Sequence, residues 1–299
     1  MTWLRPRTWE EALAIRAAHP HALPIAGGTD IMPVIGPARR RIAAGLDLTG
    51  LAELASWERR DGEVWIGART TYSTLGRDLA DVLPALAHAA RIVGSPQIRN
   101  RATIGGNLGS ASPAGDCHPP LLALDACVEV ASIRGARSIP VREFYLGPRR
   151  TVLAADELIH GLRLPLTGGP QHFTKVGVRS AMTIAASSFA IALHPSRRTV
   201  GTGIGSAGPT PLRADAAEAY LESELRAGDY WSGRRALPDS VVRGFAELVA
   251  ATAKPIDDVR STADYRRHAL TVLSRRALLW TWDDFRRRQR EDHRQHQRT

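Results

Sequence analysis

"TIGGNLGSASPAGD", residues 103–116, sets four glycines, two alanines and two serines around only two large apolar side chains, Ile104 and Leu108. A stretch so poor in packing surface brings bare backbone close to something else. A second pair of adjacent glycines lies upstream in "ALPIAGGTDIMP", residues 22–33, where a short buried strand runs into Gly27–Gly28. Adjacent glycines permit positive φ, and their successive N–H groups can form an anion-binding concavity. Taken alone, each stretch is also compatible with a plain strand-to-turn connection. Together they suggest a dinucleotide whose two phosphates are gripped from opposite sides. Thr103 and Asn107 add hydrogen-bonding side chains suited to phosphate or ribose oxygens, and Ser110 keeps the wall low. Asp116 stands just before a helix, either as its N-cap or as an acceptor for ligand hydroxyls.

A third stretch, "GIGSAG" at residues 203–208, satisfies G-x-G-x-x-G. A dinucleotide fingerprint of that kind must open a helix directly, with phosphate at the helix N-terminus. Here Pro209 and Pro211 follow at once and the next helix begins only near Arg213. These glycines are therefore expected at a tight strand end or a close sheet–helix approach.

The chain has 299 residues, 43% hydrophobic and 23% charged. That composition suits a soluble globular protein of two domains. No apolar run long enough to span a bilayer is present, and the N-terminus lacks the apolar region of a secretory signal, so a cytoplasmic protein is expected. With only Cys117 and Cys127, the chain cannot supply the four thiolates of an iron–sulfur cluster, so any redox metal belongs on a partner. The net charge of +10 is partly local, because "RRRQREDHRQHQRT" at 286–299 holds six arginines against two acids. With no nucleic-acid-binding motif elsewhere, the charge reads as a solvated basic surface or a partner contact, not a nucleic-acid site. Basic residues are almost all arginine; Lys175 and Lys254 are the only lysines, which raises the question of what each is needed for.

Along the chain, Thr8 and Glu11 form a capping-box pattern ahead of a helix stopped near Pro20. A strand is expected near Leu46–Leu48, another at "EVWIGART", and one helix over "TLGRDLADVLPALAHAARIVG". Further on come a hairpin turning at Arg134–Gly135 and a strand "DELIHGLRLP" ended by Pro165. "LTGGPQ", residues 166–171, is the best linker. Beyond it strands precede helices, which predicts an α+β domain with one sheet covered by helices on one face.

"AGGTDIMP" and "TIGGNLGSASPAGD", in this order and at this spacing, closely resemble the FAD-binding medium subunit of molybdenum hydroxylases, the group of xanthine, carbon monoxide, nicotinate and aldehyde dehydrogenases. The blocks "LRLP", "FTKVGVR", "GSAGPTPLRADAAEAYL" and "DDVRSTADYRRHALTVLSRRAL" extend the resemblance from about Trp3 to about Trp280. It implies an α+β chain in which a PCMH-type, vanillyl-alcohol-oxidase-like FAD-binding domain of two α/β subdomains, about 1–55 and 56–168, precedes a C-terminal α+β domain at 169–285 and the basic tail at 286–299. It further implies that Ile25, Ala26, Gly27, Gly28, Thr29, Asp30, Ile31 and Met32, with Thr103, Ile104, Gly105, Gly106, Asn107 and Ser110, lie along the FAD diphosphate and its neighbours. On the same resemblance Asp116 faces the adenosine half, Ile159 touches the cofactor, and Lys175 takes the place of a FAD-contacting lysine.

The function implied is electron relay. Molybdopterin in a large subunit and two [2Fe–2S] clusters in a small subunit would pass electrons to FAD in this chain, within an (αβγ)2 heterotrimeric assembly, and FAD would hand them to an external acceptor such as NAD. No acid, base or nucleophile is nominated, because the chemistry belongs to the cofactor. Two other readings share the fold: a stand-alone flavin oxidoreductase, and a flavin-free structural subunit of the same kind of complex. "AGGTD" leans toward purine or aldehyde hydroxylases over carbon monoxide dehydrogenases.

Overall fold

The computed structural model describes residues 2–35, 42–232 and 235–296. The chain opens with β1 (Thr2–Leu4), α1 (Trp9–Ala18), β2 (Leu23–Ile25) and β3 (Ala44–Asp47). Strands β1, β3 and β2 form a parallel sheet in that order, with α1 as the crossover between β1 and β2. Thr8 caps α1, accepting from the Glu11 amide at 3.2 Å, while the Glu11 carboxylate accepts from the Arg7 amide at 2.7 Å. A small core of Ala12, Ala22, Leu46, Leu48, Leu51 and Leu54 fills this layer. The N-terminal strand β1 is a finding of the structure, too short to carry a readable pattern.

The second layer comprises β4 (Trp57–Arg60), β5 (Glu63–Gly67), α2 (Tyr72–Asp78), α3 (Pro84–Arg91), α4 (Pro96–Arg101), α5 (Ile104–Ser110) and α6 (His118–Ala123). It continues with β6 (Cys127–Ser132), β7 (Gly135–Pro140), α7 (Val141–Phe144), β8 (Tyr145–Gly147), β9 (Arg150–Thr151) and β10 (Leu158–Pro165). Its main sheet, in the order β4-β5-β10-β6-β7, is antiparallel throughout. The single helix expected around residues 74–94 is two, α2 and α3. Pro84 sits in the first turn of α3, where its missing N–H costs nothing, and fully buried Leu79 and Leu83 flank the break.

The last layer is β11 (Gln171–Val176), β12 (Ser187–His194) and β13 (Thr199–Gly205), followed by α8 (Asp215–Ala227), α9 (Asp239–Thr252) and α10 (Ala263–His296). The strands pair antiparallel in sequence order. Strands-then-helices is as expected, but the sheet is buried on both faces. Along β12, Phe189, Ile191 and Leu193 pack on the helical side, whereas Ala190 and Ala192 join the core of the second layer. Every residue of β12 is buried, which is why its central stretch from Phe189 to Leu193 is apolar without alternation. The basic stretch from Arg286 to His296 continues α10, and residues 297–299 lie outside the described residues.

Candidate functional site

Ile25, 6% exposed, anchors the end of β2, and the chain then turns at Gly28, whose φ of +78° only glycine adopts without strain. Gly27 lies flat against the end of α4; a methyl group there would collide with the Arg101 carbonyl oxygen. The Met32 amide closes the turn onto the Gly28 carbonyl at 2.9 Å. Among the described residues, the amides of Gly27, Gly28, Thr29, Asp30 and Ile31 donate to no protein acceptor. Five successive uncommitted donors in one turn suit an anion.

The second glycine stretch is built differently. Residues 104–110 are helical, not an open loop, and all four amides of the first turn have protein partners. Ile104 donates to Thr70 O at 3.1 Å, Gly105 to Ala68 O at 2.9 Å, Gly106 to Thr103 Oγ1 at 3.1 Å and Asn107 to Thr103 O at 3.0 Å. Thr103 is therefore an N-cap, 5% exposed, and its hydroxyl oxygen accepts from the helix it starts. Ile104 and Leu108 are completely buried, which fastens α5 to the core at roughly 1.5–3 kcal/mol each. Gly105 is the close-packing position: a methyl there would lie 2.7 Å from Ala68 O.

What α5 offers outward is a strip without side chains. Gly106 and Gly109 are exposed one turn apart, with Asn107 and Ser110 beside them. Ile159, on β10 at a β-bulge, approaches the same strip; its Cδ1 is 3.9 Å from where a Gly109 methyl would sit. The two glycine stretches meet directly, Ser110 Oγ donating to Asp30 Oδ2 at 2.6 Å across 80 residues of sequence. Asn107 Oδ1, although buried, has no protein donor.

Asp116 is not the cap of α6. That position belongs to Cys117, which makes no side-chain cap bond. Asp116 Oδ2 instead accepts from Lys175 Nζ at 2.5 Å, with the two side chains 7% and 6% exposed. Lys175 is thus a buried ion-pair partner on β11, not an incidental surface lysine. Asp116 Oδ1 is buried without a donor. Burial pushes the Asp116 carboxyl up to about 6, against the opposing pull of the Lys175 ammonium. The pair leaves one buried carboxylate oxygen without a hydrogen-bond donor.

Sequence reasoning missed the layer beneath. His118, fully buried, shares a 2.7 Å hydrogen bond between Nδ1 and the Tyr145 hydroxyl, while Nε2 has no protein partner. Burial lowers its pKa to about 3, so the ring is neutral. Gly115 packs against this imidazole and against Asn107 Nδ2, where a methyl would lie 2.5 Å from His118 Nε2 and 2.7 Å from Asn107 Nδ2. A lone histidine ahead of two prolines carries no pattern from which this could be read. Among the described residues no group of three histidines, cysteines or carboxylates could hold a metal, and both cysteines are free.

The arrangement suits a ligand with an anionic centre for the 27–31 amides, a flat body against α5 and hydroxyls for the acceptors of Asn107 and Asp116. Residues 1–167 match the family model described as the FAD binding domain in molybdopterin dehydrogenase, and residues 172–281 match that of the CO dehydrogenase flavoprotein C-terminal domain. A putative xanthine dehydrogenase FAD-binding subunit of Escherichia coli K12 is 30% identical over 92% of this chain and 93% of its own length. The carbon monoxide dehydrogenase medium chain of Afipia carboxidovorans is 29% identical, with 92% and 94% covered, so identity does not separate the purine-type from the carbon monoxide-type relatives. The solved structure of reconstituted CO dehydrogenase from Oligotropha carboxidovorans superposes with a TM-score of 0.86 at 27% identity, covering 95% of this chain and 98% of that chain. No helix among the described residues is long and apolar enough to cross a membrane.

Proposed function

The chain belongs to the FAD-binding medium subunits of the molybdenum hydroxylases, oxidoreductase subunits of the xanthine and CO dehydrogenase type, and on that premise we propose that it is the electron-transfer subunit of a cytoplasmic heterotrimer. Its partners would be an iron–sulfur small subunit and a molybdopterin large subunit in an (αβγ)2 complex. When bound, FAD supplies the redox chemistry, taking electrons from the partner's [2Fe–2S] clusters and releasing them to an external acceptor such as NAD.

This chain's own residues bind and orient. The amides of Gly27 to Ile31 would hold the diphosphate. The side-chain-free strip of Gly106 and Gly109 lets the cofactor lie against backbone. Asn107 Oδ1 and Asp116 Oδ1 would accept from its hydroxyls, which satisfies two buried acceptors that are costly to leave unpaired. Lys175 holds the Asp116 carboxylate in place. Ile159 supplies apolar contact beside Gly109. The observation that carries the reading is the direct junction of the two glycine stretches through Ser110 and Asp30, with uncommitted amides on one side and the bare strip on the other.

The test is a titration of the flavin-free chain with FAD, followed by flavin fluorescence and visible circular dichroism, alongside the companions that co-purify. One FAD per chain, with iron–sulfur and molybdopterin subunits co-purifying, is the expected outcome. A chain that binds no FAD, alone or in its native complex, overturns the proposal.

A further inference from the structure

The stretch that follows the bare strip, residues 113–125, is gripped by the C-terminal domain about once per helical turn. Ser206 N donates to Pro113 O at 2.9 Å, and Lys175 pairs with Asp116. Gly203 then lies flush on the backbone of Pro119, and Gly201 on that of Ala123; a methyl at either would collide with the carbonyl oxygen of its partner. His194 Nε2 donates to Ala123 O at 3.1 Å, and Arg213 and Arg197 both pair with Asp125. Gly201, Gly203 and Gly205 alternate along β13 and so share one face, which is what lets α6 approach the sheet backbone to backbone. This accounts for "GIGSAG" without any phosphate. The grip is well defined: because the Ala123 carbonyl only accepts, His194 must carry its proton on Nε2, which leaves Nδ1 to accept from Arg197 Nη2 at 2.8 Å.

We propose that Gly203, with Gly201 and His194, positions the FAD site from the other domain: the glycine face of β13 sets where α6 lies, and α6 sets where Asn107, Gly115 and Asp116 stand. The proposal rests on the FAD reading above. None of the three needs to touch the cofactor; each acts through a continuous backbone held at Pro113, Asp116, Pro119, Ala123 and Asp125.

The experiment measures FAD affinity of the full chain for Gly203→Ala, with Gly147→Ala, whose added methyl meets nothing within 4 Å, as the control. G203A should bind FAD about tenfold more weakly, a difference of about 1.4 kcal/mol, with altered visible circular dichroism of the bound flavin and unchanged far-ultraviolet spectrum. G147A should match the parent. Since Gly203 acts through the second glycine stretch, its effect should be non-additive with Asn107→Ala and additive with Gly28→Ala in the first. Parent-like affinity of G203A, or additivity with N107A, overturns the proposal. If G203A does not fold, His194→Ala removes the same grip without a backbone collision, and weakened or parent-like FAD binding decides in the same two directions. Failure of the parent itself to bind FAD overturns the cofactor reading and this inference together, so the two failures are distinguishable.

Discussion

Lys175 Nζ and Asp116 Oδ2 lie 2.5 Å apart with both side chains buried, joining strand β11 of the C-terminal domain to the end of the second glycine stretch, 59 residues earlier. Buried pairs of this kind contribute little net stability compared with an apolar pair, but removing one partner leaves an uncompensated charge. Lys175→Met should therefore destabilise the chain by about 3 kcal/mol, and adding Asp116→Asn should recover most of that loss. Urea unfolding of the two single variants and the double variant measures the coupling.

The same carboxyl gives a pH dependence with a definite sign. Its pKa in the fold is about 6, above the ordinary 3.8, so the folded chain takes up this proton at higher pH than the unfolded chain does. The group's contribution thus favours the folded state most below pH 3.8, declines as pH rises from there to 6, and is constant above. The gap between the two values corresponds to roughly 3 kcal/mol. The difference in unfolding free energy between the parent and D116N, followed across this range, should show that decline. FAD affinity should run the other way. A hydroxyl donor prefers the ionised carboxylate, so binding weakens as pH falls through about 6 in the parent but not in D116N.

Gly27 and Gly28 serve different ends. Alanine at 27 collides with the Arg101 carbonyl, a backbone atom that cannot swing aside, and should cost about 1–3 kcal/mol while opening the gap between the two glycine stretches. Alanine at 28 meets only side chains, Met32 at 3.1 Å and Ile25 at 4.0 Å, and its penalty is conformational, about 1–2 kcal/mol for the left-handed region. Thermal unfolding with and without FAD should show a larger loss of FAD-induced stabilisation for G27A than for G28A.

In the second stretch, the clean probe is Gly109. Valine there points to the open strip, with only Ile159 Cδ1 at 3.9 Å, and should change stability by less than about 1 kcal/mol while weakening FAD at least tenfold. Gly105→Val, by contrast, drives into Ala68 and should unfold the chain before any question about FAD is answered. Comparing the unfolding midpoint with FAD affinity for the two variants checks the assignment; a folded G109V with parent-like affinity would contradict the strip.

Much of the fold is legible in the sequence because it is written in short-range patterns. Thr8 and Glu11 mark the start of α1, and Pro165 marks the end of β10. Asn107, Asp116 and Lys175 stand out because two glycine stretches and a rare lysine are conspicuous in this composition. The second stretch nonetheless differs in kind from what its composition suggests. Two adjacent glycines lower helix propensity by about 2 kcal/mol relative to alanine, so an open loop is the natural expectation. Tertiary packing overrides that preference, through the Thr103 cap, the buried Ile104 and Leu108, and the close approach of Gly105 to Ala68. Asp116 likewise resembles an N-cap in the sequence, whereas Lys175, from another domain, holds it in the fold.

The amino-acid sequence by itself determined which stretches must come close to something, because backbone that approaches another atom within van der Waals distance needs glycine locally. It also determined that strands precede helices in the C-terminal domain, and the family resemblance. Only the tertiary structure decided what each stretch approaches: Arg101, Ala68, Pro119 and Ala123 are the protein's own backbone, while the amides of Gly27 to Ile31 and the buried acceptors of Asn107 and Asp116 have no partner among the described residues. The reason is that hydrogen-bond satisfaction and burial of charge are settled between segments tens of residues apart, such as Ser110 with Asp30 and Lys175 with Asp116, and no local pattern records which donors remain without a partner.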